Sequence, residues 1–182
     1  MLGVNVEGRY RLYPRVVLDF HEIVNDTMGS LHFAVAYYPL SGISTAWNRE
    51  LLSGLAPTFG VSGLLYNSNL IAFDRATESL WSQMRQECIN GVFLGAPQEA
   101  ISVLETTWAT WKLLAKNPEI MSFDTGYPYD YSQSPFIDYA LSDLSMPYPI
   151  QFEDTRLPPK ERVLGLVVDG KAKVYRFGAF RR

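Results

Sequence analysis

Two hairpin-like sequences near the ends of the chain constrain its fold more than any other feature. Residues 2–13 (LGVNVEGRYRLY) align without a gap with residues 164–175 (LGLVVDGKAKVY), at a constant offset of 162 residues. Each contains an acidic residue followed by glycine between two strand-like runs, a pattern typical of a β-hairpin with a two-residue turn. Two copies are too few for a repeat array, which needs about three. We therefore predict neighbouring hairpins in a duplicated or pseudo-twofold arrangement, the alternative being two unrelated hairpins.

The remaining periodic segments are short, and they predict a mainly β fold with a few short helices (α+β), in one domain over residues 1–182. Pro14 can begin a short helix that ends near residue 20. Alternating apolar residues predict a second hairpin at residues 21–38, with a turn at residues 26–29. Helical spacing around residues 108–115 predicts a helix with Thr107 as its N-cap. Further strands are predicted at residues 43–49, 58–61, 70–74 and 79–83.

Residues 117–159 differ in composition from the rest of the chain. They contain 7 of the 11 prolines and five tyrosines, and the stretch between Lys116 and Arg156 has seven acidic residues and no basic residue. Loops of this length in compact domains are usually functional or disordered. Because aromatic residues are frequent here, we expect an ordered, packed, acidic loop.

Charge and metal-ligand content exclude several classes of protein. The sequence has 16 basic and 19 acidic residues and a net charge of −3, which argues against general nucleic-acid binding. His21, His32 and Cys88 are its only nitrogen or sulfur ligands of the usual kind, and a structural zinc site normally uses four. A glycine-rich phosphate-binding motif is also missing from the sequence. We therefore expect no nucleic-acid partner, no tightly bound transition metal and no cofactor; oxygen-ligated Ca²⁺ or Mg²⁺ stays an open alternative, although no acidic cluster has EF-hand spacing.

Neither a membrane span nor a signal peptide is predicted. Residues 51–73 carry no charge, but they contain one proline, three glycines and several other polar residues. A bilayer span needs about 20 predominantly apolar residues, so this stretch is expected to form buried, turn-rich core. The first residues lack the basic start and apolar run of a secretory signal.

Several motifs occur in a characteristic order along the chain. Residues 8–14 form a Gly-to-Pro hairpin motif, residues 21–26 read His-Glu-Ile-Val-Asn-Asp, and residues 37–41 read Tyr-Tyr-Pro-Leu-Ser. Further blocks lie at residues 59–68, 74–75, 77–83, 106–108, 124–127, 154–157 and 160–165. Together they resemble a bacterial and archaeal family of domains of unknown function, mostly exported proteins, marked by His-Glu-Ile-Val-Asn-Asp and Tyr-Cys-Pro-Leu-Cys motifs. The resemblance covers nearly the whole chain and implies an extracytoplasmic (periplasmic or secreted) location, but no established activity.

The chain departs from this family pattern in two ways. Tyr38 and Ser41 stand where the family has its two cysteines, so a thiol redox or soft-metal role implied by that motif is not expected here. Family members commonly continue after their second hairpin, whereas this chain ends shortly after residue 175. Strand edges without their usual neighbour are templates for pairing with another chain. We therefore expect a protein partner or a homo-oligomer.

His21, Glu22 and Asp26 form the first candidate for catalysis. An imidazole and two carboxylates suit general acid–base chemistry, because their pKa values can be tuned toward neutrality. If residues 21–25 form a strand, His21 and Glu22 point to opposite faces and His21 shares a face with Asn25. The alternative interpretation is a structural, buried histidine followed by a turn.

Asp74 is a second catalytic candidate, and Trp81 is a candidate binding residue. With Glu78, a carboxylate beside an indole could bind a sugar or a cation. The alternative is a turn at residues 75–77 followed by a strand that places Trp81 in the core. Ser62 lacks the second glycine of a hydrolase nucleophile elbow, so a bulged strand is expected there.

Basic residues are concentrated in the two terminal hairpins. Arg9 and Arg11 in the first, and Lys171 and Lys173 in the second, alternate with apolar residues, so each pair projects from one face of its strand. They are candidate binding residues for an anion or a protein partner. The alternatives are solvated strand faces, or pairing with the acidic loop.

These observations favour a non-enzymatic binding or accessory domain, acting as a subunit of a larger assembly. Few metal ligands are present, and no nucleophile has a recognisable base. The alternative is a hydrolase-type or metal-assisted enzyme that uses His21, Glu22 and Asp26.

Overall fold

The computed structural model describes residues 1–51, 54–142 and 148–180, and it confirms the mainly β fold with short helices. The strands are β1 (Leu2–Val6), β2 (Arg9–Tyr13), β3 (Ile23–Met28), β4 (Leu31–Tyr38), β5 (Ile43–Asn48), β6 (Phe59–Tyr66), β7 (Asn69–Asp74), β8 (Leu80–Ser82), β9 (Glu87–Asn90), β10 (Ala100–Ile101), β11 (Val103–Glu105), β12 (Glu119–Ile120), β13 (Val163–Val168) and β14 (Lys171–Arg176). The helices are α1 (Arg15–His21), α2 (Trp108–Leu114) and α3 (Ile137–Leu141), and a 3₁₀ turn covers Phe177–Phe180. The strands of the described residues form four β-sheets.

The first sheet has the strand order β11-β1-β2-β12 and contains the first terminal hairpin. β1 and β2 are antiparallel, with Leu2 opposite Tyr13 and Val6 opposite Arg9. The turn residues Glu7 and Gly8 both have positive φ, +52° and +83°, as a two-residue turn of the primed type requires. The predicted hairpin is therefore present.

The second sheet has the order β10-β5-β4-β3 and corrects two sequence-based predictions. His21 is the last residue of α1 and not part of a strand, because the helix continues until Glu22 adopts a φ of +59° and donates its backbone N–H to the carbonyl of Leu18. The turn is also shorter than expected: β3 continues through Met28, opposite Leu31. Asp26 therefore lies within a strand and not in a turn.

The third sheet has the order β6-β7-β8-β9. The register of β6 against β7 shifts between Val61 and Leu65, where Gly63 has a φ of +77°, so the predicted bulge is confirmed. Asn25 of β3 connects this sheet to the second one: its side chain accepts from the backbone N–H of Phe59 and donates to the carbonyl of the same residue.

The second terminal hairpin forms a separate two-stranded sheet, β13-β14. Its turn residues Asp169 and Gly170 have φ values of +50° and +71°, so this hairpin also has the predicted turn. The two hairpins share no strand ladder, and the pseudo-twofold arrangement is not confirmed. Arg162, just before β13, forms an ion pair of 2.9 Å with Glu105 of β11.

Apolar side chains form two main clusters and a smaller one. The first lies between the first two sheets and α1, the second lies between the second and third sheets, and the third surrounds Trp111 of α2. The acidic loop contains β12 and α3 among its described residues. Among the helices of the described residues, none has the length and apolarity needed to cross a bilayer.

Candidate functional site

His21 lies among aromatic side chains of the acidic loop. Its Nε2 is 2.5 Å from the hydroxyl of Tyr131, and its ring centroid lies 5.1 Å from that of Tyr127 and 5.5 Å from that of Tyr129. Thr125 Oγ1 is 2.7 Å from the same Tyr131 hydroxyl. Burial lowers the pKa of His21, so the imidazole favours its neutral form in this setting.

Two carboxyl groups, one buried and one partly buried, lie near this end of α1. Glu22, a sequence-based candidate, has one carboxylate oxygen, Oε2, buried without a hydrogen-bond partner among the described residues. The same is true of Oδ2 of Asp19, a residue that the sequence interpretation missed and that is only 4% exposed. Burial raises the pKa of both groups. The sequence did contain a signal for a buried carboxyl group at Asp19, because this acidic residue directly follows three apolar residues (Val-Val-Leu).

A cleft of about 490 Å³ separates α1 from the part of the acidic loop that includes α3. Its polar lining includes Arg15, Asp19, Tyr37 and Tyr131, and apolar residues such as Phe136 complete it. The nearby hydroxyl of Ser134 and the guanidinium of Arg15 partly offset the rise of the pKa of Asp19 on burial. A guanidinium and a carboxyl group in one cleft can hold a small polar ligand, and the lining offers serine hydroxyls but no histidine or cysteine.

Asp26 is held by partners other than His21. Its Oδ1 lies 2.6 Å from Nη1 of Arg11, and its Oδ2 accepts from the hydroxyl of Tyr13 at 2.7 Å. Its Oδ1 also accepts from the backbone N–H of Thr27 at 2.7 Å, so its described side-chain bonds lie within β3 and across to β2. Within the described ranges, no group of three or more His, Cys, Asp or Glu side chains could hold a metal ion.

Asp74 organises a turn and a buried indole. Its Oδ1 accepts from the backbone N–H of Thr77 at 2.7 Å, and its Oδ2 accepts from Nε1 of Trp81 at 3.0 Å. Asp74 is fully buried and Trp81 is 1% exposed. The structure thus has the turn and the core tryptophan of the structural interpretation.

The two pairs of basic residues have different surroundings. Arg9 donates to Glu119 at 2.6 Å, and Arg11 is ion-paired with both Glu119 and Asp26. The first pair therefore contacts the acidic loop through β12. Lys171 and Lys173 are exposed, and the ammonium group of Lys173 lies 5.0 Å from the ring centroid of Tyr175.

Apolar residues at equivalent positions of the hairpins also differ in burial. Leu2 and Val4 are fully buried, whereas Leu164 and Leu166, at the same positions of the second hairpin, are each 44% exposed. Glycines show the same contrast: a Cβ on Gly3 would lie 2.4 Å from the ring of Trp111, whereas one on Gly165 would meet no atom within 4 Å. The second hairpin thus exposes a surface that its counterpart buries.

Comparison with known proteins gives a family and no function. The model of a family described as "Protein of unknown function (DUF3179)" matches residues 1–182, so the chain belongs to that family. No curated protein and no solved structure matches the sequence.

Proposed function

We propose that this family member is a non-enzymatic accessory domain that self-associates through its second hairpin. The exposed apolar side chains of β13 and β14 are the observation that carries the proposal. An isolated two-stranded hairpin is marginally stable in water and normally needs further packing. The buried counterpart at residues 2–13 indicates what kind of surface such a hairpin packs against.

One face of the first hairpin is covered by apolar residues and carboxylates. Leu2 and Val4 pack with Phe33 of the second sheet, and on the same face the guanidinium groups are paired with Asp26 and Glu119. The second hairpin places Leu164, Leu166 and Val168 on one face with Lys171, Lys173 and Tyr175. A complementary surface for it is therefore apolar and carries carboxylates.

The acidic loop of a second copy offers such a surface. Phe123, Tyr127 and Tyr129 are exposed there, and Asp124 and Asp130 lie beside them in the sequence and are also exposed. In a symmetric dimer, the hairpin of each subunit would contact the acidic loop of the other, so both contacts form together. Opposite charges favour this hairpin-to-loop contact over a hairpin-to-hairpin contact, because the second would bring the lysines of the two subunits together.

The placement of the candidate catalytic residues supports a binding function over a hydrolytic one. A general acid–base pair needs its groups within hydrogen-bond reach of one reacting atom. Here His21 is bonded to Tyr131, whereas Asp26 is bonded to Arg11 and Tyr13. Asp74 is fully buried against Trp81.

Light scattering and sedimentation of the full chain over a range of micromolar concentrations test the proposal. We expect a dimer that weakens with added salt. Burying a leucine side chain contributes about 1.5–3 kcal/mol, so Leu166→Ser should raise the dimer dissociation constant roughly tenfold or more. Leu113→Ser on α2, at an even more exposed leucine, is the matched control and should leave the constant unchanged.

Charge reversal tests which surface of the second copy is used. The double variant Lys171→Glu and Lys173→Glu should weaken the dimer, and adding Asp124→Lys and Asp130→Lys should restore it. A monomer at every concentration would overturn the proposal. A dimer that is insensitive to Leu166→Ser would also overturn it, because association would then use another surface.

A further inference from the structure

We infer that the cleft beside α1 binds a small carboxylic acid with an aromatic or other apolar body, whose carboxylate is held by Arg15. The cleft has a volume of about 490 Å³, within the usual range of ligand pockets, about 300–1,000 Å³. It is open to solvent, because Arg15 on one side and Ile137 and Leu141 on the other are exposed. The residues that the proposed dimer uses are not part of its lining.

The guanidinium of Arg15 is held in place but keeps its hydrogen-bond donors. Its central carbon lies 5.9 Å from the ring centroid of Tyr37. Its Nη1 is 4.0 Å from Oε1 of Glu105, too far for a hydrogen bond. Among the described residues, none accepts a hydrogen bond from this guanidinium. The side chain is 42% exposed, so a ligand in the cleft can reach it, and a guanidinium fits a carboxylate through two parallel N–H donors.

The charges around Arg15 favour an anionic ligand. The carboxylate that faces Arg15 is that of Glu105, and its Oε2 already accepts from Arg162 at 2.9 Å and from Ser44 at 3.2 Å. Two guanidinium groups therefore share one carboxylate. Burial raises the pKa of Asp19, so this residue opposes a bound anion less than an exposed aspartate would. A carboxylate of the ligand would balance the remaining positive charge.

The walls of the cleft favour an apolar body for the rest of the ligand. They consist mainly of apolar side chains from α1, α3 and the adjoining loops: Val16, Pro39, Phe136, Ile137, Ala140 and Leu141. Removing an apolar ligand surface from water against these side chains favours binding. An inorganic anion would contact Arg15 but would gain nothing from the walls. The cleft therefore fits an apolar carboxylic acid better than phosphate or sulfate.

Titration of the full chain with benzoate, followed by calorimetry and by NMR of the methyl groups, tests the inference. Benzamide keeps the ring and loses the charge, whereas acetate keeps the charge and loses the ring. We expect saturable benzoate binding, and we expect each analogue to bind roughly tenfold more weakly, because each lacks one of the two contacts. Benzoate should also shift the methyl resonances of Val16, Ile137 and Leu141.

Two variants test the role of the guanidinium. Arg15→Gln removes the charge and should weaken benzoate binding roughly tenfold, but it should leave benzamide binding nearly unchanged. Arg85→Gln is the matched control, because Arg85 is also an exposed arginine beside a glutamate and lies outside the lining. It should not change benzoate binding. Leu166→Ser, which tests self-association, should bind benzoate as the unaltered chain does, so the two proposals can fail separately.

Equal affinities for benzoate and benzamide would overturn the inference, because Arg15 would then not hold the carboxylate. Equal affinities for benzoate and acetate would overturn it too, because the apolar walls would then contribute nothing. The same conclusion follows if no saturable signal appears at tens of millimolar benzoate, if Arg15→Gln binds benzoate normally, or if the cleft methyl groups do not shift. Circular dichroism identifies a variant that fails to fold, and the comparison of the three ligands on the unaltered chain needs no variant.

Discussion

The contact between Gly3 and Trp111 gives a sharp test of how the first hairpin is packed. A Cβ atom at position 3 would lie 2.4 and 2.5 Å from two ring carbons of Trp111 and 2.7 Å from a methyl carbon of Leu12. All three distances are shorter than any ordinary carbon–carbon contact. Gly3→Ala must therefore displace the indole of α2 or separate β1 from it.

The cost of this displacement can be estimated from overpacked cores. An extra methyl group in a well-packed core typically destabilises a protein by about 1–3 kcal/mol, and Trp111 is among the largest fully buried side chains. Alanine itself is favoured over glycine within a strand by roughly 0.5–1 kcal/mol, which offsets part of the strain. We expect a net loss of about 1–2 kcal/mol for Gly3→Ala.

Gly165→Ala is the matched control, because its sequence position is equivalent and its added Cβ would meet no atom within 4 Å. Urea unfolding followed by tryptophan fluorescence should show a lower midpoint for Gly3→Ala and a change within about 0.5 kcal/mol for Gly165→Ala. A loss of 1 kcal/mol corresponds to a melting temperature lower by about 2–4 °C for a chain of this length. Equal stability of the two variants would refute the packing of Trp111 on Gly3.

Two further predictions concern carboxylates. Asp26→Asn should destabilise the fold by about 2–3 kcal/mol, because hydrogen bonds to charged groups contribute about 1.5–3 kcal/mol and the half-buried Arg11 loses a charged partner. The midpoints of urea unfolding measure this loss. Glu119→Gln removes a more exposed partner of Arg11 and should destabilise the fold less. Burial raises the pKa of Asp19 in the folded chain, so the folded state keeps a proton that the unfolded state releases, and stability falls as pH rises above the ordinary Asp pKa of about 3.9. Asp19→Asn should remove this loss, so that its stability relative to the unaltered chain increases as pH rises from about 4 through the folded-state pKa of Asp19. Parallel pH profiles would contradict the assignment.

Features that depend on neighbouring residues were predictable from the sequence. Thr107 accepts from the backbone N–H of Thr110 and caps α2 as expected, because N-capping needs only a short polar side chain before a helical run. The bulge in β6 was also predictable, because Gly63 can adopt the positive φ that such a bulge requires. The strands β1 to β5, β7 and β8 lie within a few positions of the predicted ones, whereas β6 extends five residues beyond its predicted end and the short strands β9 to β12 were not predicted.

The surroundings of His21 could not be predicted in the same way. Its place at the end of α1 depends on Val17 and Leu18, which are fully buried and extend the helix one residue beyond the expected end. Its hydrogen-bond partner, Tyr131, lies 110 positions away. No local pattern indicates which loop a histidine will meet, and the motif at residues 21–26 is thus divided between a helix end and a strand.

Trp81 contacts Asp74, with which the sequence grouped it, but the pair lies in the core. The sequence grouped Trp81 with Asp74 and Glu78 as a sugar or cation site, because they lie within a few positions. In the structure Asp74 accepts from the indole N–H, and both side chains are buried away from solvent. The contact between these sequence neighbours was therefore predictable, but their burial depends on the fold.

The two terminal hairpins separate what is encoded locally from what is encoded at a distance. Both acidic-glycine turns have positive φ at both residues, because turn geometry depends on the turn residues themselves. The burial of Val4 but not of Leu166 depends on packing partners such as Phe33, which is remote in the sequence. A hairpin sequence therefore predicts its own shape but not its partner. The partner chemistry of the exposed hairpin has to be inferred from the groups that cover the buried one, and those groups are apolar, aromatic and acidic.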